Sequence, residues 1–307
     1  MFDFYFSVLS IYIFVVGGFV LKKIFGKNLD TKSVTLLTVY FFQPLLVFWG
    51  LLRTPLKFEM MNSAILWFVG TCFVAMVFLG VGKLFIRDKK LRSIFVFTTT
   101  NGNTGNLGVP LGILIFGPVS VIYTTMINFA NVIWNFTFGV YSYSRGNFSV
   151  IESIKNIFKM PILWAGVLGI IFNLNRIPVA PKIDEILEIG AHASIAIQLF
   201  LLGLFAASVK IKKVCWGFNF WTIFVKFILM PGIGILVIFF AQNIFQFELS
   251  KLAWNILILQ FTVPLAVNNV NLASLYDCRP KLVAELVLTT TVLFLVFVPL
   301  LFWIFSF

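Results

Sequence analysis

The chain has 307 residues, of which 60% are hydrophobic and only 11% charged, and its mean hydropathy is +1.02. A soluble domain carries roughly 25% charged residues, so composition excludes an ordinary soluble fold and indicates an integral membrane protein. The formal charge of +12 does not signal nucleic-acid binding, because the basic residues lie in loops between apolar runs.

The first apolar run, 4–21, lacks a basic leading region and a clear small-residue cleavage site, and reads as a retained span rather than a signal peptide. Nine more follow at 33–52, 62–86, 93–116, 119–144, 157–174, 189–209, 216–241, 251–276 and 281–305. At roughly 20 residues per crossing, they predict an all-α integral membrane protein of ten transmembrane helices. The sixth run is short, and polar residues interrupt the seventh and ninth. The 39 phenylalanines and 8 tryptophans suit a lipid-facing surface and its interfacial belts. Cys72, Cys215 and Cys278 form no CxxC pair and no metal-ligand spacing, and read as small buried or lipid-facing residues.

Charge predicts orientation. Loops after odd-numbered spans hold seventeen basic residues, from Lys22 through the Arg87–Arg92 cluster to Lys281. Loops after even-numbered spans hold five: Arg53, Lys57, Arg176, Lys182 and Lys251. The positive-inside rule puts the larger set in the cytoplasm, which leaves both termini outside the cell inner (plasma) membrane.

Span 4 carries the densest chemistry. Its middle, Asn101-Gly102-Asn103-Thr104-Gly105-Asn106-Leu107-Gly108-Val109-Pro110, combines glycines and a proline that weaken a helix. A broken helix at membrane depth is tolerated only inside protein or against a water-filled cavity. Lys226 lies within span 8, five residues before Pro231. It reads either as an anion-attracting charge or as a lysine bonded to carbonyls that the proline frees. Span 9 is broken in the same manner: Pro264 is followed by Asn268, Asn269 and Asn271. Five spans separate the two breaks, so residues 1–150 and 151–307 read as two inverted five-helix repeats with broken crossing helices 4 and 9, the sequence pointer to a secondary transporter.

The crossing brings four half-helix ends together. N-terminal ends favour carboxylates and exposed carbonyls favour cations. The candidate substrate-binding residues are therefore Asn101, Asn103, Asn106, Pro110, Pro264, Asn268 and Asn269, with Lys226 and with Asn131 from span 5. In that span Asn128, Asn131 and Asn135 share one helical face. The face either packs on the crossover or contacts substrate directly. Glu285 and Asp277 read as interfacial. His192, with Glu188 four residues before it, reads as interfacial or as a proton-coupling group. No cofactor is expected. The coupling ion, H+ or Na+, is left open. HExxH, P-loop and GxSxG motifs are absent from the sequence, which argues against an enzyme and against ATP-driven pumping. Polarity concentrated at one depth favours a carrier over a channel.

The stretch 100–110, the Pro264-Leu265-Ala266-Val267-Asn268 segment with Leu272-Ala273 and Tyr276-Asp277, and the Gln43-Pro44-Leu45-Leu46 of span 2 resemble the auxin efflux carrier family. That resemblance implies a fold similar to bile-acid sodium symporters. Spans 1, 2, 6 and 7 would form a scaffold and homodimer face, and spans 3–5 and 8–10 a moving transport domain. It also implies small organic anions as substrates, auxin in plant members and small carboxylates in bacterial ones. Asn103 matches the family's substrate-binding asparagine and Pro110 a family position. Asn269 stands where plant members have a second proline. Span 7 departs at Ser194-Ile195-Ala196, where the family often has a proline.

Overall fold

The computed structural model describes residues 2–144, 158, 160–208 and 216–305. Arg145, Lys155, Lys159, Lys210, Lys212, Lys213, Cys215 and the 150/151 boundary between the expected repeats lie outside the described residues, as does the side chain of Asn271. The described chain is built from helices: α1 (Phe2–Phe25), α2 (Thr31–Leu52), α3 (Phe58–Phe85), α4 (Lys89–Thr100), α5 (Val109–Phe116), α6 (residues 120–143), α7 (Pro161–Leu174), α8 (Pro181–Ser208), α9 (Trp216–Asn243), α10 (Lys251–Thr262), α11 (Asn268–Leu275) and α12 (Pro280–Phe305). Among the described residues, Thr31–Leu52, Phe58–Phe85, Trp216–Asn243 and Pro280–Phe297 are each long and apolar enough to cross a membrane. Outward side chains such as Phe58, Leu84, Phe85, Trp216 and Phe239 are exposed. Lipid covers such a surface and water does not.

Polar residues set the helix starts. Asp30, Asp88 and Ser250 accept hydrogen bonds from the first free backbone N–H groups of α2, α4 and α10, the usual work of an N-cap. Prolines shape the interiors. Pro44, Pro110 and Pro231 each lack an N–H and push away the carbonyl four residues back. The helix answers with one widened turn ahead of each, at Thr38–Phe42, Thr104–Gly108 and Val225–Leu229. There Gln43 N donates to Thr38 O, Gly108 N to Asn103 O and Met230 N to Val225 O, each bond spanning five residues. Such widened turns recur at functional sites. Span 8 therefore continues through Pro231 without breaking.

Two runs differ from expectation. Span 7 is an unbroken helix that begins at Pro181, eight residues before the apolar run. Its first turns stand beyond the apolar region, where Lys182, Glu185 and Glu188 are exposed, and Asp184 pairs with Arg53. Hydropathy registers the lipid boundary, whereas the helix simply continues past it with Pro181 at its first turn. In span 4 the non-helical stretch shrinks to 101–103, and helical turns resume at Thr104.

The helices pack as two sets, which meet where α2 and α7 lie against α6. In one, α1 lies along α8, and α7 and α8 both pack on α2. Asn173 of α7 ties the end of α2, with Nδ2 donating to Thr54 O (2.8 Å) and Oδ1 accepting from Leu56 N (2.8 Å). In the other, α3 packs on α4, α6, α9 and α10, and α11 packs on α12. The α1–α8 crossing is backbone to backbone. A Cβ on Gly203 would stand 1.9 Å from Val15 O, and one on Gly18 would stand 2.1 Å from Phe200 O. Close approach of this kind is how helices associate where lipid removes the hydrophobic drive. Gly203→Ala should force the helices apart and cost about 3 kcal/mol or more. Thermal unfolding in detergent should show a clearly lowered midpoint, whereas Gly17→Ala, where a Cβ meets nothing within 4 Å, should leave it unchanged.

Candidate functional site

The two broken helices repair each other. At the end of α4, Asn101 (φ −101°, ψ 93°) leaves helical geometry. At the end of α10, Val263 (φ −51°, ψ 144°) does the same. The two loosened stretches run antiparallel as a single bridge between Gly102 and Leu265. Asn103 N donates to Pro264 O (2.8 Å), and Ala266 N donates to Asn101 O (2.9 Å). Backbone groups that lipid would leave unsatisfied are thus paired across the crossing.

Side chains complete the repair. Asn101 Nδ2 donates to Asn135 Oδ1 (2.9 Å) and to Asn269 Oδ1 (3.0 Å). Asn131 Nδ2 donates to Gly102 O and to Thr104 Oγ1, both at 2.8 Å. The Thr104 hydroxyl donates to Asn128 Oδ1 (3.0 Å). From α2, Gln43 Nε2 donates to Asn106 Oδ1 (2.9 Å). All of these groups are buried. The polar face of span 5 therefore packs on the crossover, and its three asparagines also border the cavity there.

The network has a direction. An amide offers an acceptor at oxygen and donors at nitrogen. Asn106, Asn128 and Asn135 are engaged through their oxygens, which leaves their NH2 groups without a described partner. The Asn103 NH2 is likewise buried and unpaired within the protein. These four asparagines line one small cavity of about 20 Å³, the room a single water needs. Asn131 runs the other way, with its oxygen unpaired. Amide nitrogens of Asn106, Asn128 and Asn135 are thus left to donate at this cavity.

Lys226 stands beside this site. Its side chain is fully buried, and a Cβ on Gly102 would lie 3.0 Å from its Nζ. Only glycine at 102 lets the ammonium approach the strand-like stretch so closely. Among the described residues Lys226 has no carboxylate partner; the described ion pairs are Arg53–Asp184 and Arg279–Asp88.

Of the candidates from sequence, Asn103, Asn106, Asn131 and Asn268 line the cavity, with Asn268 only half-buried. Asn101, Pro264 and Asn269 hold the crossing together behind it, Pro110 is buried in the first turn of α5, and Lys226 backs Gly102. His192 is exposed and sits edge-on to Trp49, with ring centroids 5.6 Å apart. Glu285 accepts from Asn219 Nδ2 (2.8 Å), and neither borders the cavity. Sequence reasoning missed Gln43 and Thr104. A glutamine in the apolar run of span 2, directly before a proline, was the available signal. A larger cleft of about 760 Å³ lies between the start of α3 and the loop before α10. Its Glu59 accepts from Ser250 N (2.6 Å) and the Tyr123 hydroxyl (3.1 Å), so that carboxylate fastens the loop to α3 and α6.

Apolar helices that break where they cross, around a buried and directional polar site, define a membrane transporter. Comparison agrees. The profile described as membrane transport protein matches residues 3–304, and the chain belongs to that family, as its likeness to the auxin efflux carriers implied. It is also 27% identical to an uncharacterized transporter of Methanocaldococcus jannaschii, over 97% of both chains.

Proposed function

We propose that this transporter is a secondary carrier for a small organic anion, a carboxylate above all, which it binds at the crossing of spans 4 and 9. The observation that carries this is a cavity lined by Asn106, Asn128 and Asn135, whose oxygens are engaged within the protein and whose NH2 groups have no described partner. A carboxylate accepts through both oxygens, and a neutral amide wall binds it without locking it in, as a carrier requires. Lys226 places a buried amine behind Gly102, within reach of the same site.

In this reading the chain makes ten spans as two inverted repeats. α4 and α10, at 12 residues each, measure only about 18 Å. Paired with α5 and α11, they make full crossings. The group α1, α2, α7 and α8 is the scaffold and homodimer face, and the other group moves by an elevator-type slide. A cavity of about 20 Å³ is too small for a carboxylate with its carbon chain, so the described arrangement is the contracted one and the site widens to load. Both termini face outside. Cysteines placed singly at the exposed Lys57 and Lys89 should label from opposite sides of the membrane, Lys57 from the outside. Labelling of both from one side removes this topology.

The function is tested by calorimetry on purified protein against short mono- and dicarboxylates, their primary amides, and matched amines, with and without sodium and at two pH values. Carboxylates should bind and amines should not. Preference for an amine or a neutral amide removes the anion reading, and the sodium and pH arms identify the coupling ion.

A further inference from the structure

We propose that Gln43, which α2 carries and neither crossing helix does, is the positioning residue that turns the crossover into an anion site. The proposal rests on the carboxylate reading above. Gln43 is buried, and its Nε2 is the described partner of Asn106 Oδ1, at 2.9 Å. Both residues line the cavity. Without that bond, the amide of Asn106 is free to rotate and present oxygen where it now presents NH2. The backbone does little to prevent this. Asn106 lies in the widened turn before Pro110, and its own carbonyl is the one that the proline cannot satisfy. Gln43 is held in place more firmly. Its backbone N–H closes the widened turn of α2 on Thr38 O, and Pro44 and Leu46 follow in a helix packed on α7 and α8.

The bond also joins the two packing groups. Gln43 belongs to α2, in the first group, whereas Asn106 belongs to the turn that follows the break in span 4. Asn106 is therefore held donor-inward only while the groups stand in this relative position. Sliding one past the other breaks the bond and removes a reason for the anion to stay. Affinity thus differs between the two positions, which a carrier needs to release what it has bound.

The test uses full-length protein, calorimetry, and a carboxylate with its primary amide as the neutral control. Gln43→Met keeps the length and loses the bond. It should lower carboxylate affinity about tenfold while amide affinity holds, so the ratio between the two ligands falls. General damage to the fold would weaken both ligands together. In an Asn106→Ala background the same Gln43→Met change should alter affinity by less than about twofold, because Gln43 acts through Asn106. Should Gln43→Met not fold, Asn106→Ala alone should reproduce the fallen ratio. If wild-type protein binds no carboxylate, the functional reading fails and takes this proposal with it. If wild type binds but Gln43→Met keeps the ratio, or costs as much in the Asn106→Ala background, Gln43 is structural and the proposal alone is overturned.

Discussion

Asn103→Asp should reduce carboxylate binding at least a hundredfold in a protein that still inserts and folds. Asn103 lines the cavity, and its buried NH2 has no partner within the protein. A lost hydrogen bond to a charged partner costs about 1.5–3 kcal/mol, or about ten- to hundredfold in affinity, which is the effect expected of Asn103→Ala. An ionised aspartate adds repulsion, about 4 kcal/mol for two charges 4 Å apart at an effective dielectric of 20, and has no N–H to donate. The crossing itself should survive, because Asn103 contributes its backbone N to Pro264 O and its backbone O to Leu107 and Gly108, and none of these bonds involves the side chain. Asn269→Ala should show the opposite profile. Its side chain holds Asn101 behind the cavity, so the melting temperature should fall more than affinity does. Calorimetry and size-exclusion in detergent on the same preparations separate the two effects. Wild-type affinity in a folded Asn103→Asp protein, for a ligand confirmed to be anionic, would move the site elsewhere.

The sequence made the broken helices legible because their cause is local. Gly102, Gly105 and Pro110 weaken span 4, and Pro264 weakens span 9, whatever surrounds them. The asparagines stood out for the same reason: amides are rare in apolar runs and need partners there. Their division of labour was not legible. Asn101 and Asn103 are two residues apart and of one type, yet one ties Asn135 to Asn269 while the other faces the cavity. That difference is set by contacts 30 to 170 residues away, which no local pattern carries. Gln43 was missed on the same account, since its partner is 63 residues on. The early start of α8 was missed for a different reason. Hydropathy follows the lipid boundary, and a helix stabilised by its own backbone need not end there.

Lys226→Met should raise thermal stability while lowering anion affinity about tenfold or more. The lysine sits in the widened turn before Pro231, fully buried, and among the described residues no carboxylate neutralises it. A charge held out of water without a partner destabilises the folded state. Replacing it with an apolar side chain of similar length removes that cost, as happens when buried ions are exchanged for well-packed hydrophobes. The same amine lies against Gly102, next to the cavity, where its protonated form favours any anion that enters. Stability and binding therefore depend on this residue with opposite signs, as expected where a protein tolerates local strain for function. Lys226→Arg tests geometry against charge: the guanidinium keeps the charge but is bulkier, and Gly102 and Val263 leave it little room. It should retain part of the affinity and lose stability. A structural lysine, bonded to carbonyls that Pro231 frees, predicts the reverse for Lys226→Met: a lower melting temperature with binding unchanged. Thermal unfolding and calorimetry of these two variants decide between the two roles. A result in which Met lowers both quantities equally would assign Lys226 to the fold and leave the asparagines to recognise the anion alone.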